Sequence, residues 1–374
     1  MNARRTVVVF VCGLTAIGIT SDVKADFTFG EPVNLRTVIP AIDPVHESIS
    51  CLSSDGHEIY LMSDRPGGQG GFDLWVLKRN SIEEDWGPPV NLGPNVNSSK
   101  IESGGSISSD GLTLYFYSNR PGGYGSTDLY MTTRPTRSDL WSQAVNLGAT
   151  VNSPATDGDP VISRDGLELY FTSWRPNGYG LGDTYVTRRA TTNDPWGEPE
   201  NLGHVVNSPY QDCAFSVSPD GRLLLFADNV PETGTPPRPG GRGGSDMWMT
   251  RRASLSDPWQ VPVNLGPEVN TSTHEICPLI SPDGSTLYFS TAQSEDYATW
   301  ENWQAPILPV VDFNADEVVD FADLVLLIDN WGTDNTLYDI GPYAWGDGVV
   351  DIEDLKVFIT YWEKEDASQS SNEQ

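Results

Sequence analysis

A phrase of 21 residues recurs along the chain, and its period constrains the fold more than any other feature. Residues 55–75 read DGHEIYLMSDRPGGQGGFDLW, residues 110–130 read DGLTLYFYSNRPGGYGSTDLY, and residues 165–185 read DGLELYFTSWRPNGYGLGDTY. The Asp-Gly pair returns at 55, 110, 165, 220 and 283, with steps of 55, 55, 55 and 63 residues. Such a period predicts a row of supersecondary units, each of which buries its apolar face only against its neighbours.

Each repeat has the composition of four short strands. In the second copy these are GSISS (105–109), LTLYFYS (112–118), DLYMTTR (128–134) and WSQAVNL (141–147). Aromatic and β-branched residues alternate with polar ones, and Asp-Gly, Pro-Gly and Asn-Pro signals separate the runs. Four antiparallel strands per unit are what one propeller blade requires. The sequence therefore predicts an all-β, five-bladed β-propeller over residues 26–308, with four-stranded blades and repeats of about 55 residues.

The phrase S-x-D-G-x-x-L-Y-F-x-S-x-R-P-G-G-x-G-x-x-D-L-Y resembles the WD40-like PD40 repeats of TolB-type β-propellers. The resemblance spans residues 27 to about 308 and implies the propeller fold. It implies no single activity, because such repeats occur in carriers, envelope proteins and enzymes. The fifth copy, FSTAQSEDYATW, lacks the Arg-Pro-Gly-Gly loop, which weakens the prediction of its third strand.

Ring closure is predicted from the number of outer strands. The sequence offers five inner-strand units but six outer-strand segments, the first being FTFGEPVNL at 27–35. If this N-terminal segment completes the last blade, five blades close. WQAPILP at 303–309 then becomes an extra edge strand or a linker. Six blades would require another whole repeat.

The N-terminus has the pattern of an export signal. Arg4 and Arg5 precede the apolar run TVVVFVCGLTAIGIT, and the small residues Val23 and Ala25 follow. This predicts a signal peptide over residues 1–25, cleaved before Asp26, and an extracellular or periplasmic protein. No later stretch predicts a membrane span. The net charge of −30 argues against a nucleic-acid partner.

A set of acidic residues, called the ring acids below, lies eight positions before each Asp-Gly pair. It comprises Glu47, Glu102, Asp157, Asp212 and Glu275. Five carboxylates at the entry of the innermost strands either surround one mouth of the central channel, as a cation or sugar site, or bond backbone N–H groups at the blade junctions. His46 and His274 precede Glu47 and Glu275 in blades that become neighbours on closure, and such a cluster suits a transition metal.

The C-terminal sequence contains a calcium-loop pattern. DFNADEVVDFAD places oxygen side chains at loop positions 1, 3, 5, 9 and 12, and the Val318 carbonyl at position 7. The side chains are those of Asp312, Asn314, Asp316, Asp320 and Asp323. A helix follows this loop but none precedes it, and this arrangement resembles the type I dockerin module, which uses Asp at position 12.

A second, weaker copy follows in WGDGVVDIEDLKVFITYW. Asp347, Asp351 and Asp354 match positions 5, 9 and 12, and Val349 supplies the carbonyl of position 7. Tyr343 and Trp345 fall at positions 1 and 3, unless Asp339 substitutes through a longer loop. The predicted module spans 309–364, binds Ca²⁺ and is small and helical, and residues 365–374 are predicted to be a disordered tail.

These patterns predict a secreted binding or display protein. The propeller would recognise a ligand such as a glycan or peptide, and the dockerin-like module would attach it to a cohesin-like protein partner. The alternative is a carbohydrate-active enzyme, a glycoside hydrolase or lyase on the propeller, tethered by the same module. No catalytic residue is predicted, because the sequence has no nucleophile motif, phosphate loop or zinc signature.

Overall fold

The computed structural model describes residues 27–39, 42, 47–229, 238–292, 300–316 and 318–372. The predicted signal peptide and His46 lie outside these residues. The described chain forms 21 β-strands and two α-helices, numbered here in chain order. No helix among the described residues is long and apolar enough to cross a membrane.

The strands form five antiparallel sheets, each of which is one blade. The innermost strands are β3 (Glu47–Leu52), β7 (Glu102–Ile107), β11 (Asp157–Ile162), β15 (Gln211–Val217) and β19 (His274–Ile280). Each contacts the next and β19 returns to β3, so the five blades form a closed ring. The second strands are β4 (Glu58–Ser63), β8 (Thr113–Ser118), β12 (Glu168–Ser173), β16 (Leu223–Asn229) and β20 (Thr286–Ala292).

The outer half of each blade is a longer third strand and a very short fourth one. The third strands are β5 (Asp73–Lys78), β9 (Asp128–Thr133), β13 (Asp183–Arg188), β17 (Met247–Arg251) and β21 (Trp300–Pro309). The fourth strands of blades one to four are β6 (Val90–Asn91), β10 (Val145–Asn146), β14 (Glu200–Asn201) and β18 (Val263–Asn264). The predicted all-β, five-bladed propeller with four-stranded blades is confirmed.

The N-terminal segment closes the ring, as predicted. It forms β1 (Phe27–Phe29) and β2 (Val33–Asn34), and both pair with β21. The prediction for WQAPILP was wrong in one respect, because this segment belongs to the third strand of blade five and not to an extra edge strand or linker. β21 pairs with β20 on one side and with β1 and β2 on the other. Blade five therefore has a full third strand without the Arg-Pro-Gly-Gly loop.

The recurrent Asp-Gly pair builds the turn between the first and second strands of every blade. In blade one, Ser53 Oγ donates to Asp55 Oδ1 at 2.6 Å and accepts from the Glu58 N–H at 2.9 Å. Gly56 follows with a φ of 69°, a left-handed conformation that glycine adopts without steric cost. The turn glycines Gly111, Gly166, Gly221 and Gly284 have φ between 72° and 75°. A local steric requirement therefore explains why this pair is repeated.

The apolar core lies between adjacent blades. In one cluster, Tyr60 and Leu74 of blade one pack with Ile107, Leu114 and Phe116 of blade two, and all five are buried. Similar clusters join the other neighbours. Each blade thus buries its faces against the next one, which is the dependence that the repeat period indicated.

After the propeller comes a C-terminal module, defined here as residues 310–372. Its helices are α1 (Phe321–Asp329) and α2 (Ile352–Asn372), so α2 continues through most of the segment predicted as a disordered tail. Leu327, Ile340 and Phe358 are among the residues of its own small core. Ala344 and Trp345 do not belong to that core. They pack in the apolar cluster between blades four and five.

Candidate functional site

The ring acids are fully buried and accept hydrogen bonds within their own surroundings. Glu102 accepts from Ser98 N at 2.7 Å, Ser98 Oγ at 2.6 Å and Ser118 Oγ at 2.7 Å, and pairs with Arg120 Nη2 at 3.0 Å. Asp157 has the equivalent partners Ser153, Ser173 and Arg175. These carboxylates thus tie a loop, a strand end and an arginine together.

The other three ring acids vary this arrangement. Glu47 pairs with Arg65, and Asp212 accepts from Ser208 N and Arg238 Nη2. Glu275 has no arginine partner in its described contacts and accepts from Thr271 and Thr273 hydroxyls at 2.6 and 2.8 Å. None of the five is among the described residues that line the central channel.

The histidines of the predicted metal cluster are only partly described. His274 is 9% exposed and its Nδ1 accepts from Ser245 N at 3.1 Å. His46 lies outside the described residues. Within the described ranges, no group of three or more His, Cys, Asp or Glu side chains is placed to hold a metal ion.

A cavity occupies the centre of the propeller. Its central chamber has a volume of about 240 Å³ and is lined by the innermost strands of all five blades. Representative lining residues are Ile49, Gly105, Val161, Phe215 and Cys277. The volume exceeds the roughly 150 Å³ that accommodates benzene in an engineered protein cavity. This chamber can therefore hold a small organic molecule.

A second chamber of about 370 Å³, called the mouth chamber below, adjoins the first. The two share Met62, Ser103, Tyr117, Asp159 and Trp300 as lining residues. The mouth chamber has aromatic walls made by Phe72, Tyr117, Trp174 and Trp300. Asp159 thus lies where an aromatic vestibule meets the centre of the ring.

Asp159 is the one acidic residue among the described residues that line these two chambers. It sits in the irregular part of β11, where the pairing with β12 shifts register between Gly158 and Val161. Its φ of 49° is left-handed, which is uncommon for a residue other than glycine. Non-glycine residues in this conformation are concentrated at functional sites.

The equivalent bulge positions of the other blades hold different residues. Gly104 and Cys277 share the left-handed backbone, with φ of 63° and 56°, whereas Ile49 does not. Gly104 is also required sterically, because a Cβ atom there would lie 2.8 Å from the Tyr117 ring. The glycine therefore lets the Tyr117 ring and the Asp159 backbone both lie close to residue 104.

The surroundings of Asp159 favour its neutral form. Burial raises the pKa of its carboxyl to about 6, although a contact with the Cys213 thiol opposes the shift. Burial, with the charge of Asp159, also raises the pKa of Tyr117 and raises that of Cys277 to about 12. No cationic side chain forms an ion pair with Asp159 among the described residues, although four ring acids each have an arginine.

Sequence reasoning missed Asp159, Tyr117 and Trp174, because it followed what the repeats share. The signal that was available lay in residues that differ from their equivalents in the other repeats. Trp174 stands where the first two repeats have Asp64 and Asn119, and Asp159 stands at a bulge position that is otherwise uncharged. Positions that depart from the repeat were the better guide to the site.

The segment predicted as the first calcium loop forms a compact turn before α1. Asp312 Oδ1 accepts from Asp316 N at 3.2 Å, and Asp316 Oδ1 accepts from Val318 N at 3.0 Å. Asp323, fully buried, accepts from Phe313 N at 2.8 Å and from Asp320 N at 2.9 Å. Asp320 caps α1 through Ala322 N at 2.6 Å, and the Asn314 amide contacts Asp316 at 2.9 Å.

The donor set of this loop consists of carboxylate, amide and carbonyl oxygens, which suits a hard cation such as Ca²⁺. Its described carboxylates do not converge into a metal-holding group of three in the structure. Glu317, at position 6, lies outside the described residues. Calcium therefore fits the chemistry of the loop and stays a prediction.

The second loop repeats the hydrogen bonds of the first. Asp354 accepts from Ile340 N at 2.6 Å and Asp351 N at 2.6 Å, as Asp323 does from the equivalent positions. Asp347 N donates to Asp339 Oδ1 at 2.9 Å, as Asp316 N does to Asp312. Asp339 thus takes position 1 through the longer loop considered above.

Residues 342–345 are consequently an insertion in the second loop. Tyr343 and Trp345 of this insertion contact the propeller and not the interior of the loop. Val349 N donates to Asp347 Oδ1 at 3.2 Å, which places the predicted position 7 beside position 5. Burial, followed by the charges of Asp354 and Asp347, raises the pKa of Asp339 to about 6, against hydrogen bonds from Asp347 N and Gly348 N.

No family model matches the sequence, and none of the curated proteins compared with it matches either. Among solved structures, an α-L-arabinofuranosidase from Podospora anserina in complex with cellotriose is 13% identical with a TM-score of 0.46, covering 76% of this chain and 98% of its own. A putative TolB from Agrobacterium tumefaciens is 15% identical with a TM-score of 0.37, covering 76% and 99%. The β-propeller domain of the Trilobed protease from Pyrococcus furiosus is 11% identical with a TM-score of 0.36, covering 67% and 64%. These likenesses concern the propeller fold alone.

Proposed function

We propose that the propeller binds a small ligand in its central channel and that the C-terminal module attaches the protein to a partner. The observation that carries this proposal is the pair of adjoining chambers, which share several lining residues, among them aromatic side chains and the single acidic residue of the described lining. Apolar concave sites with a few polar groups are typical of ligand pockets. The carboxyl of Asp159 would orient the ligand.

Binding is favoured over glycoside hydrolysis by the number of carboxyl groups. Most glycoside hydrolases need two carboxyl groups about 5–10 Å apart on either side of the scissile bond. Among the described lining residues, Asp159 supplies one, and the ring acids are engaged in hydrogen bonds away from the chambers. The alternative of a carbohydrate-active enzyme thus lacks its second group within the described part of the site.

The remaining elements of the proposal rest on the sequence. The N-terminal pattern predicts export, and the loops at 312–323 and 339–354 have the oxygen ligands of calcium sites. The attachment partner would be a cohesin-like protein. Exposed apolar side chains on α1, namely Phe321, Val325 and Ile328, offer a surface for such a partner.

A binding screen with a blocked variant tests the proposal. The full chain is screened against neutral, cationic and anionic small molecules and a glycan panel, with turnover measured in parallel. Thr156 lines the mouth chamber, so Thr156→Trp should reduce the affinity for any channel ligand at least tenfold. Thr192→Trp, in an exposed loop of the same blade, is the matched control. Equal affinity in both variants would place the ligand elsewhere, and turnover of a glycan would favour the enzyme.

A further inference from the structure

We infer that the ligand of the mouth chamber is an organic cation, an alkylated ammonium group held between the aromatic walls and the Asp159 carboxylate. This inference rests on the proposed function and names the chemical class of its ligand. It combines three observations, which are an acidic side chain without an ion pair among the described residues, an aromatic enclosure, and two chamber hydroxyls that already donate to other groups.

The first observation compares Asp159 with three ring acids that have an arginine partner. Glu102, Asp157 and Asp212 each have an arginine within 3.0 Å. Asp159 has no such ion pair among the described residues, although it is enclosed by the innermost strands. Asp159 is half-buried. A carboxylate that loses part of its hydration requires a compensating charge or hydrogen bonds, and a cationic ligand supplies that charge.

The second observation is the composition of the walls. Phe72, Tyr117, Trp174 and Trp300 line the same chamber as Asp159. The face of an aromatic ring attracts a cation, and enclosures of several rings recognise quaternary ammonium groups. Trp174 interrupts the repeat at this point, where the first two blades have short polar residues.

The third observation concerns the hydroxyl groups of the chamber and weighs against ligands that carry many hydroxyl groups. Two hydroxyls in the chamber are already engaged, because Ser103 Oγ donates to Met62 Sδ at 2.8 Å and Thr127 Oγ1 donates to Asp157 O at 2.9 Å. A sugar enclosed here would find these two hydroxyls already committed as donors, and each polar group that it buried without a partner would carry a cost. An anionic ligand would be repelled by the negative charge of the Asp159 carboxylate.

The test compares two ligands of the same shape and different charge. Choline and 3,3-dimethylbutan-1-ol differ in that a carbon atom replaces the ammonium nitrogen. Calorimetry with the full chain at pH 7.5 should show that choline binds at least tenfold more tightly than the neutral alcohol. Asp159→Asn should remove this preference by weakening choline binding at least tenfold while leaving the alcohol unchanged.

Controls separate the possible outcomes. Asp257→Asn, an equal change of charge at an exposed position, should retain the preference for choline. A trimethyllysine peptide and phosphatidylcholine vesicles show whether the cation belongs to a protein or a lipid. Equal affinity for choline and the alcohol, or an unaltered preference in Asp159→Asn, would overturn the inference. In that case a neutral ligand whose binding is blocked by Thr156→Trp would still support the proposed function.

Discussion

Trp345 of the C-terminal module packs edge-on against Phe27, the first residue of the strand that closes the propeller. Their ring centroids lie 6.2 Å apart at an interplanar angle of 64°. Trp345 is 5% exposed, and its Nε1 contacts Asp220 Oδ2 at 3.4 Å. Arg222 donates to the Asp347 carbonyl beside it. The insertion in the second loop thus covers the seam of the ring, where β1 joins blade five.

Replacement of Trp345 should therefore destabilise the propeller itself. We expect Trp345→Ala to lower the free energy of unfolding by about 3–5 kcal/mol, because it leaves a cavity against Phe27. Differential scanning calorimetry of the propeller transition measures the effect. Trp331→Ala removes a tryptophan that is 44% exposed in the same module and should change little. An unaltered propeller transition in Trp345→Ala would show that the module does not support the seam.

The ring acids should contribute to stability through their hydrogen bonds. Glu102→Gln replaces an acceptor that receives the Ser98 N–H and the Arg120 guanidinium with a group that also donates. We expect a loss of about 1–3 kcal/mol, because buried donors lose their partner. Denaturant unfolding measures it, with the exposed Glu83→Gln as control. A variant as stable as the parent would contradict the structural role of Glu102.

Asp228 should be a source of instability at neutral pH. It occupies the position of Ser118 and Ser173, which donate to their ring acids. Burial, with the charge of Asp246, raises its pKa to about 7, and its Oδ2 has no hydrogen-bond partner among the described residues. Because this pKa lies above that of the unfolded chain, the favourable contribution of Asp228 is full below about pH 4 and is lost as pH rises through 7.

Asp228→Ser should accordingly raise the free energy of unfolding at pH 8 by about 2–4 kcal/mol and have no benefit at pH 4. Denaturant unfolding at the two pH values measures the difference. The exposed Asp257→Ser serves as control. A variant less stable than the parent at pH 8 would mean that the Asp228 carboxylate has a stabilising partner.

Asp159 should also reduce stability while it serves binding. Its neighbours in the cavity include the titratable groups Tyr117, Cys213 and Cys277, and burial raises its pKa to about 6. The stability that its protonated form provides is therefore lost as pH rises through 6. Asp159→Asn tolerates the left-handed backbone and should gain about 1–3 kcal/mol at pH 8 but nothing at pH 4. Thermal melts at both pH values test this, and a loss at pH 8 would contradict it.

The calcium prediction concerns the first loop. Asp312→Ala combined with Asp316→Ala removes two anionic ligands and should abolish the tighter calcium site. Chelation should likewise reduce the helical circular-dichroism signal of the module, since cation binding there is coupled to folding. Asp329→Ala with Asp334→Ala, both exposed, is the matched control in calorimetry. Unchanged calcium stoichiometry and affinity in the first double variant would refute the loop assignment.

Local patterns were sufficient for the architecture. The Asp-Gly turn, the alternation of strand residues and the spacing of 55 residues depend on neighbours in the chain, so the blades and the closing role of Phe27–Phe29 were predictable. The third strand of blade five was not, because β21 has no glycine-rich loop before it and forms through pairing on both of its sides.

The sequence by itself determined the number of blades, the closing strand and the oxygen-rich loops, because turn chemistry and strand periodicity are local. Only the tertiary structure decided which residues share the channel. Asp159, Tyr117 and Trp300 come from three different blades, and ring closure brings them to one chamber. In the same way, only the folded structure shows that Asp339 accepts the Asp347 N–H in the second loop. It also shows that Trp345 packs against Phe27. Such contacts depend on burial and distance between segments far apart in sequence, which no local pattern contains.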